Sequence, residues 1–108
     1  GMKLGLGTDV GAGRTFSIPR IAASAYDTAQ LVGAKLTGEA LLWYATLGGA
    51  QVLGHADRVG RIAVGFEADL VALDVPKYLP RTEAIYDAIA FAHERSPVLA
   101  TYVRGRRL

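Results

Sequence analysis

The chain contains no cysteine. Disulfides, thiolate-ligated zinc and thiol nucleophiles are therefore excluded. It has only two histidines, His55 and His93. They lie far from the i, i+4 spacing of a helical zinc pair, so a closed zinc site would need several carboxylates as well. No apolar run approaches the roughly 18 residues of a membrane span. The N-terminus lacks the charged region and long apolar core of a secretion signal. The expectation is a cytoplasmic protein without a membrane partner. Charge of one sign is also scarce, since twelve Lys and Arg against ten Asp and Glu leave a net charge of +2. That balance does not argue for nucleic acid.

What is present is apolar: 51% of the 108 residues are hydrophobic and 20% charged. This is the composition of one ordered globular unit rather than a disordered chain. Gly1 before Met2 reads as the remnant of a cleaved tag. Lys3 to Leu6 reads as a strand running into Gly7-Thr8-Asp9-Val10-Gly11-Ala12-Gly13. Ser17 can cap a helix with Pro19 in its first turn. Ile18, Ile21, Ala22, Ala25, Tyr26, Ala29 and Val32 form its apolar stripe, and Gly33 ends it. Thr37 can cap a second helix over about 38–47, broken by Gly48-Gly49. A short third helix over about 50–53 stops at Gly54.

Two strands are predicted next, Arg61–Val64 and Asp69–Leu73, with a turn between them. Thr82 caps a further helix carrying Ile85, Ala88, Ile89 and Ala92 on one face, ended by Ser96-Pro97. Val98–Val103 reads as a strand, Gly105-Arg106 as a turn and Arg107-Leu108 as a return strand. The order is mixed α/β. The first strand has no partner until Arg61 and calls for a parallel neighbour.

Asp9 stands out because it follows a strand's carboxyl end in a glycine-rich loop, where α/β active sites collect. Its carboxylate can bind a divalent metal or move a proton, or it can simply organise the loop as an Asx turn. Gly5-Leu6-Gly7 opens like a dinucleotide fingerprint, but Val10 stands where the third glycine belongs. Arg14 can hold an anionic group, pair with Asp9 or face water. His55 and His93 sit at helix ends, where a cation suits the dipole. Arg104, Arg106 and Arg107 form a basic tip without interleaved aromatics, which fits a solvated hairpin better than nucleic acid. Tyr26, Trp43 and Tyr44 lie on helices and are assigned to the core.

Taken together, these segments resemble the amidohydrolase superfamily and, within it, the guanine deaminases. The likeness rests on Gly5-Leu6-Gly7-Thr8-Asp9 with Gly11-Ala12-Gly13 and Phe16-Ser17. It continues in Ala45-Thr46-Leu47-Gly48-Gly49-Ala50-Gln51-Val52-Leu53-Gly54. It includes Asp57-Arg58-Val59-Gly60-Arg61-Ile62 with Val64-Gly65-Phe66-Glu67-Ala68-Asp69-Leu70-Val71, and it ends in Tyr102-Val103-Arg104-Gly105-Arg106-Arg107. Ala92-His93-Glu94-Arg95-Ser96 departs from the family's pattern.

The resemblance implies a zinc-dependent hydrolase of purine catabolism that converts guanine, or a related heterocycle, with water to xanthine and ammonia. It implies that Asp9 binds the metal and handles the proton of the attacking water. The family's His-x-His pair, its later metal-binding histidines and its glutamate have no counterpart here. Substrate-contacting residues are not identified. A complete (β/α)8 barrel needs about 200 residues or more. The expectation is therefore a C-terminal fragment of such a barrel. Residues 2–57 would supply the last strand, the Gly-rich loop and helices. Residues 58–108 would supply part of the attached small β-sandwich, with one helix over about 82–93. Zinc would belong to the complete enzyme, and this chain alone would hold none and be inactive. The alternative is a stand-alone oligomerisation or binding module reusing this region. Apolar stripes left without a cover also predict a homo-oligomer, most simply a homodimer.

Overall fold

The computed structural model describes residues 1–79, 81–91 and 97–108. Helix α1, Ile18–Leu31, begins at the predicted cap: the Arg20 amide donates to Ser17 Oγ over 3.4 Å, with Pro19 in the first turn. It ends as predicted at Gly33, whose φ of 75° suits glycine. There the Gly33 amide donates to the Gln30 carbonyl and the Ala34 amide to that of Ala29, at 3.1 and 2.8 Å. That pair of bonds satisfies two carbonyls of the last turn.

Thr37 caps α2, Gly38–Trp43, through its hydroxyl oxygen, which accepts from the Ala40 amide at 3.2 Å. Gly48-Gly49 does not break the run. The helix widens into a π turn over Tyr44–Gly48 and continues as α3, Gly49–Val52. The two glycines act here by allowing close approach of another backbone, not by ending the helix. Gly54, with φ of 74°, closes α3 with the same pair of backbone bonds that closes α1.

Two predicted strands do not form. Lys3–Leu6 is extended but belongs to no sheet, because no neighbouring strand lies beside it among the described residues. Arg61–Val64 is irregular and exposed for the same lack of a ladder partner. The strands that do form are β1, Leu70–Leu73, β2, Val98–Val103, and β3, Arg106–Arg107. They make one antiparallel sheet in the order β1-β2-β3, with Val71 opposite Thr101 and Tyr102 opposite Arg107. The closing turn falls one residue earlier than predicted, on Arg104 and Gly105 with φ of 49° and 75°. Positive φ at both central residues marks the hairpin turn whose twist matches the strands. Asp69 Oδ1 accepts from the Arg104 amide at 2.8 Å, and the Ala68 carbonyl from the Gly105 amide at 2.9 Å. The Ala68-Asp69 pair thus fixes the turn onto β1.

Helix α4, Thr82–Phe91, matches the predicted helix as far as Phe91, with Thr82 as its first residue rather than its cap. Ala92, His93 and Ser96 lie outside the described residues. This helix packs on α1 and α2, and Ala22, Leu41 and Ala90 make the core between the three. Leu6, Ala25, Tyr26 and Leu36 pack around that cluster. Tyr26 also meets Phe91 edge to face at 5.0 Å. Trp43, assigned to the core, is instead 39% exposed beside Tyr44. No helix of the described residues is long and apolar enough to cross a membrane.

Leu41 is the one large side chain that is completely buried among those described. Leu41→Ala leaves a cavity between three helices that cannot all close on it. It is expected to cost about 3 kcal/mol of stability, read as a lowered midpoint in urea unfolding.

Candidate active site

The site is built from the glycine-rich loop upward. Leu6 enters it anchored, because its amide donates to the Tyr44 carbonyl at 3.1 Å. Three residues later Asp9 adopts φ of 46°, a left-handed conformation that Asp tolerates better than most residues. The Asp9 carbonyl accepts from the amides of Ala12, at 3.0 Å, and Gly13. A bridge between Val10 and Gly13 closes the turn.

Gly13 is obligatory in this shape. A Cβ there would lie 1.8 Å from the Thr8 carbonyl oxygen and 2.9 Å from that of Asp9. Beyond it the Ser17 amide donates to Thr15 Oγ1 at 3.1 Å, which leads the chain into α1. The loop is therefore held at both ends, by α1 and by the π turn.

These bonds bear on the Asx-turn reading of Asp9 alone. The main-chain oxygen of Asp9, not its carboxylate, accepts the closing amides. Asp9 is exposed, and its carboxylate is left outside the network that shapes the loop. An Asx turn is not what organises this segment.

The other candidates are dispersed. Arg14 is exposed and forms no ion pair with Asp9. His55 is exposed just past α3, where its amide donates to the Ala50 carbonyl at 2.8 Å. His93 lies outside the described residues. Arg104 is committed to structure: its Nε donates to Glu67 Oε2 at 3.1 Å, while Arg58 pairs with Glu67 Oε1 at 3.0 Å. Arg61 lies over the Phe66 ring at 4.5 Å. The basic tip thus presents Arg106 and Arg107 to solvent without a stacking platform.

A catalytic zinc takes three protein ligands and an open position. Among the described residues no group of three His, Asp or Glu side chains is placed to hold a metal. Asp9 alone does not make a zinc site, so the residues present here do not fit the group by themselves.

Residues 1–108 match the Amidohydrolase family, and the chain belongs to that family. It is 36% identical, over 97% of its length, to the guanine deaminase of Escherichia coli (strain K12). The solved E. coli guanine deaminase superposes with a TM-score of 0.85 at 34% identity, over 98% of this chain and 27% of that one. An adenosine deaminase from Xanthomonas campestris, solved with bound Zn, gives a TM-score of 0.65 at 27% identity, over 80% of this chain and 20% of that one. The chain spans about a quarter of the curated relative's length, 26% of it.

Sequence reasoning gave Gly5, Tyr44 and Gly48 other roles and missed that they seat the loop on the helices. Their signal was a glycine pair inside an otherwise uninterrupted helical run. Gly13→Ala is expected to force the Asp9 turn open at a cost of about 2 kcal/mol. The amide resonances of Asp9 to Gly13 should move while those of α4 stay. A Gly13→Ala chain with an unmoved Asp9 resonance would contradict the geometry.

Proposed function

We propose that this chain is the Asp9-bearing part of a guanine deaminase-like hydrolase, contributing the end of its barrel and part of the adjoining sandwich. The observation that carries the reading is the agreement with E. coli guanine deaminase in shape and sequence over nearly the whole chain. It is supported by Asp9, whose carboxylate is spared from the loop's own bonding. The reaction would be hydrolytic deamination of guanine, or a related heterocycle, in purine catabolism in the cytoplasm. Asp9 would be the residue of this chain that meets the metal and takes the proton of water. The metal would be zinc, as in the Zn-bearing adenosine deaminase. The remaining ligands would come from outside these 108 residues, so the chain by itself would be inactive.

The test replaces the matching quarter of E. coli guanine deaminase with these residues and follows xanthine formation with zinc supplied. The hybrid should turn over guanine and the isolated chain should not. Asp9→Asn should lower the hybrid's kcat/KM by about 10²- to 10⁴-fold. A folded, zinc-loaded hybrid without activity would sink the guanine reading. Turnover by the isolated chain would sink the need for further ligands.

A second expectation concerns the chain alone. Its accessible surface is 7942 Å², whereas a compact monomer of its mass exposes about 5,800 Å². The surplus, about 2,000 Å², exceeds the roughly 800 Å² per partner of a standard interface. Part of it is an open apolar cleft of about 540 Å³ between Leu4–Leu6 and α1, lined by Ile21, Ala25 and Val32. In isolation the chain should self-associate, most simply as a homodimer. Light scattering at tens of micromolar should show more than one copy per particle, and a monomer across a wide concentration range would contradict this.

A further inference from the structure

We propose that the π turn at Tyr44–Gly48 is a positioning device for Asp9. It clamps the backbone of Leu4–Leu6 at three points and so sets where the Asp9 turn stands. The catalytic meaning rests on the function proposed above, whereas the clamp itself is a property of this chain.

The first point is the hydrogen bond from the Leu6 amide to the Tyr44 carbonyl, 3.1 Å. The second is the contact of Gly5 with Gly49. A Cβ on Gly5 would lie 2.8 Å from Gly49 Cα and 3.2 Å from its nitrogen, so the two backbones touch without side chains between them. The third is Gly48, where a Cβ would lie 2.8 Å from the Leu4 carbonyl oxygen and 2.9 Å from the Trp43 ring.

The π geometry explains why these points coincide. A π turn holds one residue more than an α turn and redirects its carbonyls away from the ordinary ladder. One carbonyl here accepts from outside the helix: that of Tyr44 receives the Leu6 amide. Gly48 leaves the widened face bare at Leu4, so the Leu4–Leu6 segment can lie directly on it.

The clamp reaches Asp9 because the connection is short. Leu6 and Asp9 are three residues apart, at most about 11 Å. On the far side Gly13 is wedged against the Thr8 carbonyl. On this proposal a shift at Leu6 is passed to Asp9 through Gly7 and Thr8. A displacement of about 1 Å at a reacting group can cost about 10²-fold in rate. Gly5, Gly48 and the Tyr44 carbonyl are thus positioning groups, and Gly7 is a built-in control, since a Cβ there would meet nothing within 4 Å.

The experiment begins with the 108-residue chain and amide hydrogen exchange read by NMR. Leu6 should be protected in the unaltered chain. Gly5→Ala and Gly48→Ala should each remove that protection and move the resonances of Thr8 to Gly13, whereas Gly7→Ala should leave Leu6 protected. An unprotected Leu6 amide overturns the clamp without any variant, even if both alanine variants fail to fold. So does a Gly5→Ala chain with unmoved Thr8 to Gly13 resonances.

The second arm places Gly48→Ala in the hybrid enzyme. There kcat should fall about 10- to 100-fold, with KM for guanine, zinc content and melting temperature unchanged. A loss that follows zinc content or melting temperature would show a purely structural role and overturn the positioning claim. A hybrid inactive before any alanine is introduced would count against the proposed function, and the exchange data would then decide the clamp alone.

Discussion

The hydrogen bond from the Leu6 amide to the Tyr44 carbonyl joins the two parts of this chain that matter most to each other. On one side is the segment leading to Asp9, which has no strand neighbour among the described residues. On the other is the helical body, whose core is as small as Ala22, Leu41 and Ala90. A lone extended segment has no ladder to satisfy its polar backbone, and a single strand has no stability of its own. Here it is held by backbone contact with a helix instead. That contact exists only because the helix widens at Tyr44–Gly48 and carries glycine where the segment crosses it.

The Asp9 loop inherits its shape from this arrangement. Its turn closes through main-chain bonds at Ala12 and Gly13, so the carboxylate is not consumed in holding the loop together. The use proposed for that spared carboxylate rests on the family membership and the match to guanine deaminase. The described residues place no metal-binding trio beside it, and the chain spans about a quarter of its relative's length. What the described residues do define is the geometry of the loop.

Much of the fold was legible in the sequence where local chemistry decides it. Ser17, Pro19 and Gly33 bound α1 because capping and left-handed termination depend on the residues themselves. Strands β1 and β2 followed from their apolar runs and the turn into β3 from Gly105, though the turn lies one residue earlier than read and the pairing of β1 with β2 was not read. The misreadings concern partners. Lys3–Leu6, whose missing neighbour was read, and Arg61–Val64, whose missing partner was not, have strand composition but no ladder to join among the described residues. Gly48-Gly49 was read as a break, since propensity counts the cost of glycine and not the close contact it permits. Asp9 was singled out from its position in the loop, whereas the loop's seat on the π turn depends on residues about forty positions away and leaves no local trace.

The apolar surface that remains has the same origin. Val32 closes the stripe of α1 yet is 77% exposed, because the stripe is longer than the core that covers it. The chain therefore holds a defined shape with an unfinished exterior, and what keeps that shape at the Asp9 end is the crossing of Gly5 over Gly49. The most direct test is the nuclear Overhauser effect between their α-hydrogens in the isotopically labelled 108-residue chain. A strong cross-peak is expected from the backbone contact. Its absence in an otherwise folded chain would mean that the Asp9 segment is not seated on the helix and that the π turn does not position Asp9.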